Sequence, residues 1–340
     1  MRLFGRELTR MEFYQRFADI SQLGGVKTYT LNQGKSKGID VIEVNTGVGL
    51  RFSILLDRCM DIGWAEFKGT NFCFISKAGI SSSMYYEHTG DELHRVFGPG
   101  LLTTCGLRNV GIPCEVDGEV FGQHGRIHNA PAENVSIEAD WEGDEYYIKI
   151  RGYMREAVLY HENLQLVRTI ETKLGATSFK LTDEIRNLSL KEEKVCILYH
   201  SNFGYPLVDE GAYVFYPPAE IVNNPLDWRP SRWSPDLGYL KAPQKSSPGG
   251  FRLRFDDEDI KIGIRNEKLE DFKGIYMLFK KSQLPCFNMW RNTVEGDYVV
   301  GLEPGTTFTD GRKKCLENQS LLTLAPMESY TTSIEYGIER

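Results

Sequence analysis

The chain has 340 residues, with 40 Lys and Arg against 47 Asp and Glu and a net charge of −7. That length holds one large β domain or two ordinary ones. The acidic balance argues against a nucleic-acid backbone as partner, which would favour a basic stripe. Lys280-Lys281 and Arg312-Lys313-Lys314, the only dense basic clusters, read as solvated turns.

No apolar run is long enough for a bilayer span, so no membrane partner is expected. Arg2, Arg6 and Glu7 put charge where a signal peptide needs an apolar core. Seven cysteines, at 59, 73, 105, 114, 196, 286 and 315, are scattered, odd in number and without a Cys-x-x-Cys pair. That pattern fits reduced thiols in a cytoplasmic protein better than a disulfide framework or a structural zinc site.

In chain order, Leu8, Met11, Phe13, Tyr14, Phe17 and Ile20 form an apolar stripe that predicts an amphipathic helix over residues 7–20, with Thr9 as its cap. Residues 1–30 read as a helical extension. After them come short alternating or β-branched runs: 41–46, 50–56, 135–141, 146–153, 164–172, 178–185, 195–199, 251–255, 260–264, 275–279, 298–302, 321–325 and 330–336. Turn signals such as Glu142-Gly143-Asp144 and Glu295-Gly296-Asp297 separate them. Alternation such as Val135/Ile137/Ala139/Trp141 predicts one buried and one wet face, as in antiparallel sheets. Without strand–helix alternation, the expectation is a mainly all-β fold, a large antiparallel sandwich occupying residues 31–340 as one domain. The loop-rich stretches 79–100 and 217–250 are expected to rim a pocket.

Three strand ends carry chemistry. Glu303 closes the apolar run Tyr298-Val299-Val300-Gly301-Leu302, where partial desolvation raises a carboxyl pKa toward that of a general base; it reads equally as a structural ion-pair partner. His200 ends Val195-Cys196-Ile197-Leu198-Tyr199, and a hydrogen-bonded core histidine is an equal reading. His124, before Gly125, lies where backbone can approach a ligand closely, or in a surface turn. His124 and His128 have i, i+4 metal-ligand spacing, but Gly125 and the lack of an adjacent Glu argue against a metal. Arg108 and Asn109 suit paired sugar hydroxyls, or a surface arginine and a turn. Trp228, Trp233 and Trp290 are stacking candidates, or core. The charges of Asp57-Arg58-Cys59-Met60-Asp61 read as a structural network beneath the pocket.

Several of these stretches resemble the aldose 1-epimerase (galactose mutarotase-like) superfamily, and more closely its less-characterised bacterial aldose-1-epimerase-like branch. The family's Asn-His-Ser-Tyr-Phe resembles Tyr199-His200-Ser201-Asn202-Phe203, its Leu-His-Gly-Gly resembles Gln123-His124-Gly125-Arg126, and its Leu-Glu-Pro resembles Leu302-Glu303-Pro304. A looser match sets its Pro-Phe-Asp-Phe-Arg beside Pro225-Leu226-Asp227-Trp228-Arg229; its Gly-Arg-x-x-Asn-Arg has only Gly106-Leu107-Arg108-Asn109 as a distant counterpart. The resemblance spans roughly residues 40 to 335 in motifs of three to five residues. It implies a β-supersandwich, no required cofactor, and interconversion of the α and β anomers of a monosaccharide or close derivative. It makes Glu303 the base, facing His200 as acid across the ring, with His124 and Asp227 on the substrate; Arg108, Asn109, Arg126, Asn202 and Trp290 are further candidate substrate contacts. A non-catalytic sugar-binding or sensing protein, and an epimerase or isomerase acting at another carbon, are the competing readings. A homodimer is compatible with all three.

Overall fold

The computed structural model describes residues 1–222, 238–245 and 249–340. Asp227, Trp228 and Trp233 lie outside the described residues. Antiparallel sheets dominate. Among the described residues the largest has eight strands, in the order Glu133–Glu142, Glu145–Ala157, Asn163–Lys173, Ser178–Asn187, Ser329–Glu339, Gly274–Lys280, Asp259–Arg265 and Tyr213–Phe215. The second runs Ala219–Ile221, Gly249–Phe255, Cys286–Val294, Asp297–Gly305, Glu193–Phe203 and Leu322–Leu324, with Leu102–Leu107 also paired to Glu193–Phe203. A smaller sheet is built from Gly25–Thr30, Asp40–Asn45, Leu50–Leu55, Asp61–Phe67 and Thr70–Asn71. This is the expected mutarotase-like β-sandwich architecture.

Period-two alternation explains how the two large sheets differ. In Glu145–Ala157, Ile148, Ile150 and Met154 point into the core while Tyr147, Lys149 and Arg155 face water. Glu193–Phe203 is buried on both faces after its first two residues. One of those faces meets the eight-stranded sheet, where Tyr199 Oη donates to Asp183 Oδ2 at 2.8 Å and Ser201 Oγ meets Tyr336 Oη at 2.8 Å. The other face carries His200 and Asn202.

Beneath that strand lies a buried ionic network. Arg168, fully buried, donates through Nε and Nη2 to the two oxygens of Asp183 at 2.9 and 2.7 Å, and through Nη1 to Asp61 at 2.9 Å. Asp61 also accepts from the backbone and hydroxyl of Thr104, at 3.0 and 2.6 Å. Burial still pushes its carboxyl up to about 6. Arg58 donates to the carbonyls of His128 and Ser81.

Two expectations are revised. The helix of residues 7–20 is only Arg10–Tyr14, closed at its start by a Thr9–Glu12 capping box. Its stripe does not all dock: Phe13 is buried against Phe17 and Trp141, whereas Met11 and Tyr14 are exposed, and a separate 3-10 turn, Ile20–Gln22, begins at Asp19. Residues 1–30 also contain the ribbon Arg2–Leu3/Arg6–Glu7 and the strand Gly25–Thr30. The Val135–Trp141 run lies in an edge strand whose expected buried face is largely exposed: Trp141 is buried, but Ile137 and Ala139 are exposed. No described helix is long and apolar enough to cross a membrane.

Candidate active site

Residues paired in register on neighbouring strands project from the same face, with Cβ atoms about 4.5–5.5 Å apart. The pairings Leu198↔Gly305 and Ser201↔Leu302 set His200 opposite Glu303. Thr103 stands on the other side of His200, Asn288 on the other side of Glu303, and Arg252 beyond Asn288. Five strands thus contribute one polar row: Thr103, His200, Glu303, Asn288, Arg252. The adjacent row is Asn202, Gly301, Trp290, Gly250.

Within the first row, His200 Nε2 and Glu303 Oε1 are 3.3 Å apart. Their side chains are nearly enclosed, at 7 % and 4 % exposure. Burial alone pushes the Glu303 carboxyl up to about 8. Burial, reinforced by the neighbouring His124, pushes His200 down to about 3. Burial thus favours the neutral form of each group, a protonated carboxyl beside an unprotonated imidazole. The resemblance placed that proton on His200 and the two groups on opposite sides of a sugar ring. A separation of 3.3 Å leaves no room for a ring between them, so a ligand must lie over both.

His124 comes from a loop and is held by backbone. Its N–H donates to Gly111 O at 2.9 Å, its carbonyl accepts from Gly106 N–H at 3.0 Å, and its φ is +60°. Gly125 follows at φ +74°, so close to Gly106 O and Asn109 O that a Cβ would lie 2.2 and 2.6 Å from them. Only glycine fits there. The Gly111 N–H reaches His124 Nδ1 at 3.3 Å, which leaves the neutral ring's proton on Nε2. Burial lowers this histidine to about 4. Its ring packs edge-on to His200 with centroids 5.5 Å apart, while Phe97 and Trp290 flank His200 at 5.2 and 5.4 Å.

Four buried atoms here have no hydrogen-bond partner: His200 Nδ1, Glu303 Oε1, Asn202 Oδ1 and Asn288 Nδ2. Asn202 is oriented unambiguously, because its Nδ2 donates to His200 O at 2.6 Å and its oxygen must then face away. Four such atoms in one place offer hydrogen bonds to a polar ligand.

Gly301 is what lets the group converge. A Cβ there would lie 2.7 Å from Glu303 Oε1, 3.1 Å from Trp290 Cβ and 3.3 Å from His200 Cε1. We expect Gly301→Ala to fold but to displace the carboxylate, weakening any acid–base activity of the pair by about 100-fold for a misplacement near 1 Å. Comparing that activity with the thermal midpoint checks this, and unchanged activity in Gly301→Ala would contradict it.

Arg108 and Asn109 are revised to scaffold. The Arg108 guanidinium bridges Glu119 and Glu162 and lies over Phe121. Asn109, fully buried, donates to Gly122 O at 2.8 Å and accepts from Arg312 N–H at 2.6 Å, tying the His124 loop to the helix Arg312–Glu317. Asn109 and the Nη1 of Arg108 are thus engaged within the protein. Arg126 is half-buried beside Glu156, whose burial raises its carboxyl to about 7. Sequence reasoning missed Asn288, Phe97 and Gly301. Asn288 was findable: it stands two residues before Trp290, hence on the same face of any strand through both. Among the described residues, no group of three or more His, Cys, Asp or Glu could hold a metal ion.

Comparison with solved structures shows a shared fold. A "putative aldose 1-epimerase" from Klebsiella pneumoniae aligns with a TM-score of 0.81 at 23 % identity, covering 92 % of this chain and 83 % of its own. A galactose mutarotase-like protein from Clostridium acetobutylicum gives 0.60 at 15 % identity over 94 % and 99 %. Galactose 1-epimerase from Lactobacillus acidophilus gives 0.57 at 11 % identity over 93 % and 99 %. No curated protein matches the sequence. The chain has the galactose mutarotase-like fold, and, with residues 36–338 matching the family model, it belongs to the family described as "Domain of unknown function (DUF4432)".

Proposed function

We propose that this protein interconverts the anomers of an aldose by acid–base opening and reclosure of its ring. The observation that carries the reading is the His200–Glu303 contact at 3.3 Å between groups whose pKa values burial drives in opposite directions. Such a pair suits a hemiacetal, whose hydroxyl and ring oxygens sit on one carbon. Both can be reached from the same side by two adjacent groups.

A hydroxyl donating to Glu303 favours its charged form, because hydrogen bonds to a carboxylate lower its pKa. The resting proton then moves to His200. Glu303 takes the proton of the anomeric hydroxyl while His200 protonates the ring oxygen, and the C1–O bond breaks to give the open aldehyde. Rotation about C1–C2 exposes the other carbonyl face, and reclosure returns both protons. His124, Asn202 and Trp290 hold the sugar over the pair, and positioning itself lowers the barrier.

The experiment is exchange NMR between α and β anomers of D-glucose, D-galactose, D-mannose and D-xylose, with and without protein. The expected result is faster exchange for at least one sugar, with no solvent deuterium entering any C–H bond. Tight binding without faster exchange would make the protein a sugar-binding module, since a fold hosts many functions. Deuterium at carbon would make it an epimerase at that carbon.

A further inference from the structure

Resting on that reading, we propose that Asn288 makes the site specific for aldoses bearing an oxygen substituent at C2, by donating from its amide to that oxygen. The argument is one of order. Along the polar row the groups run His200, Glu303, Asn288, each on the strand next to the last. Around the reacting end of the sugar the oxygens run ring oxygen, anomeric oxygen, C2 oxygen. With His200 on the ring oxygen and Glu303 on the anomeric hydroxyl, the next group in the row meets the next oxygen in the sugar.

The chemistry of Asn288 fits that position. The residue is 6 % exposed. Its Oδ1 accepts from the Thr309 hydroxyl at 3.4 Å, and its Nδ2 is buried without a partner. An amide N–H in that state gains a hydrogen bond only when an acceptor arrives, and an analogue without that acceptor leaves it unsatisfied. Arg252, the next residue in the row, is already ion-paired with Asp310 at 2.7 Å. On this side of Glu303 the buried donor without a partner is Asn288 Nδ2.

The test pairs substrate and protein changes. Anomer exchange is measured on D-glucose against 2-deoxy-D-glucose, and on D-galactose against 2-deoxy-D-galactose, for the wild type and for Asn288→Ala and Asn288→Ser. The wild type should prefer the 2-hydroxy sugar by about 10- to 100-fold in kcat/KM, the range that one unsatisfied buried donor produces. In Asn288→Ala that preference should fall to about threefold or less. Asn288→Ser, which keeps a short donor, should retain part of it. Because the readout is a ratio within each variant, partial loss of folded protein cancels.

Equal ratios in wild type and variants overturn the assignment while leaving anomer exchange intact. So does an Asn288 effect that tracks C6 instead, seen with D-galactose against D-fucose, since the sugar would then lie the other way round. Absence of exchange on every sugar with the wild type overturns this inference together with the reading beneath it.

Discussion

Under the proposed function, replacing Glu303 with Gln should lower anomer exchange by about 100- to 10,000-fold, the range removed with a general base, while leaving the fold in place. The same substitution should change how stability depends on pH. Burial raises the Glu303 pKa from the ordinary carboxylate value to about 8, so the folded state holds this proton across a window in which the unfolded chain has released it. Its contribution to stability is fully present below about 4.5 and declines as pH rises through 8, because between those values folding requires proton uptake. Glu303→Gln removes that dependence. Its thermal midpoint should fall less than the wild type's between pH 5 and pH 8. Parallel curves for the two proteins would show that the carboxyl is not held neutral by its surroundings, and unchanged exchange would remove it from the chemistry.

The largest effect on stability is expected at Arg168. Arg168→Met strands Asp61 and Asp183 in the interior without their cation, and breaking a buried ion network from one side costs about 3–5 kcal/mol. Denaturant unfolding with an unchanged slope and a lowered midpoint measures it. Arg168→Lys should recover only part of the loss, since an ammonium cannot reproduce the paired contact to Asp183 together with the bond to Asp61. A midpoint equal to the wild type's would mean that the network contributes nothing net. The consequence reaches the site, because Asp183 also accepts from Tyr199, the residue before His200.

Much of the sandwich was legible because its strands are wet on one face. Tyr146–Tyr153, Leu164–Thr172 and Ser178–Ile185 alternate as a half-buried sheet must, and they fall inside strands of the eight-stranded sheet. Leu102–Leu107 and Cys286–Val294 did not read as strands, for a shared reason. Both lie in the site sheet, where one face packs on the core and the other buries polar side chains, so apolar and polar residues no longer mark in and out. Glu295-Gly296-Asp297 was recognised as a turn; the hairpin it closes required reading Asn288 and Trp290 as inward-facing.

The site was legible in part. His200 and Glu303 announced themselves as titratable groups directly after buried apolar runs, although both lie inside their strands, and the structure brings them together with His124, Asn202 and Trp290. That they are cross-strand neighbours was beyond reach, since register between strands about a hundred residues apart is fixed by packing. Arg108 and Asn109 misled because a guanidinium and an amide near a predicted site look the same whether they face a ligand or a carboxylate next door. Only their partners decide.

Side-by-side placement of the imidazole and the carboxyl has a further result for turnover under the proposed mechanism. Opening the ring moves one proton onto Glu303 and one off His200, and closing it on the opposite face reverses both transfers. The protein leaves each cycle with the charge state in which it entered, having borrowed nothing from the medium. Exchange at saturating sugar should therefore be indifferent to the concentration of phosphate or imidazole in solution, whereas uncatalysed exchange quickens with both.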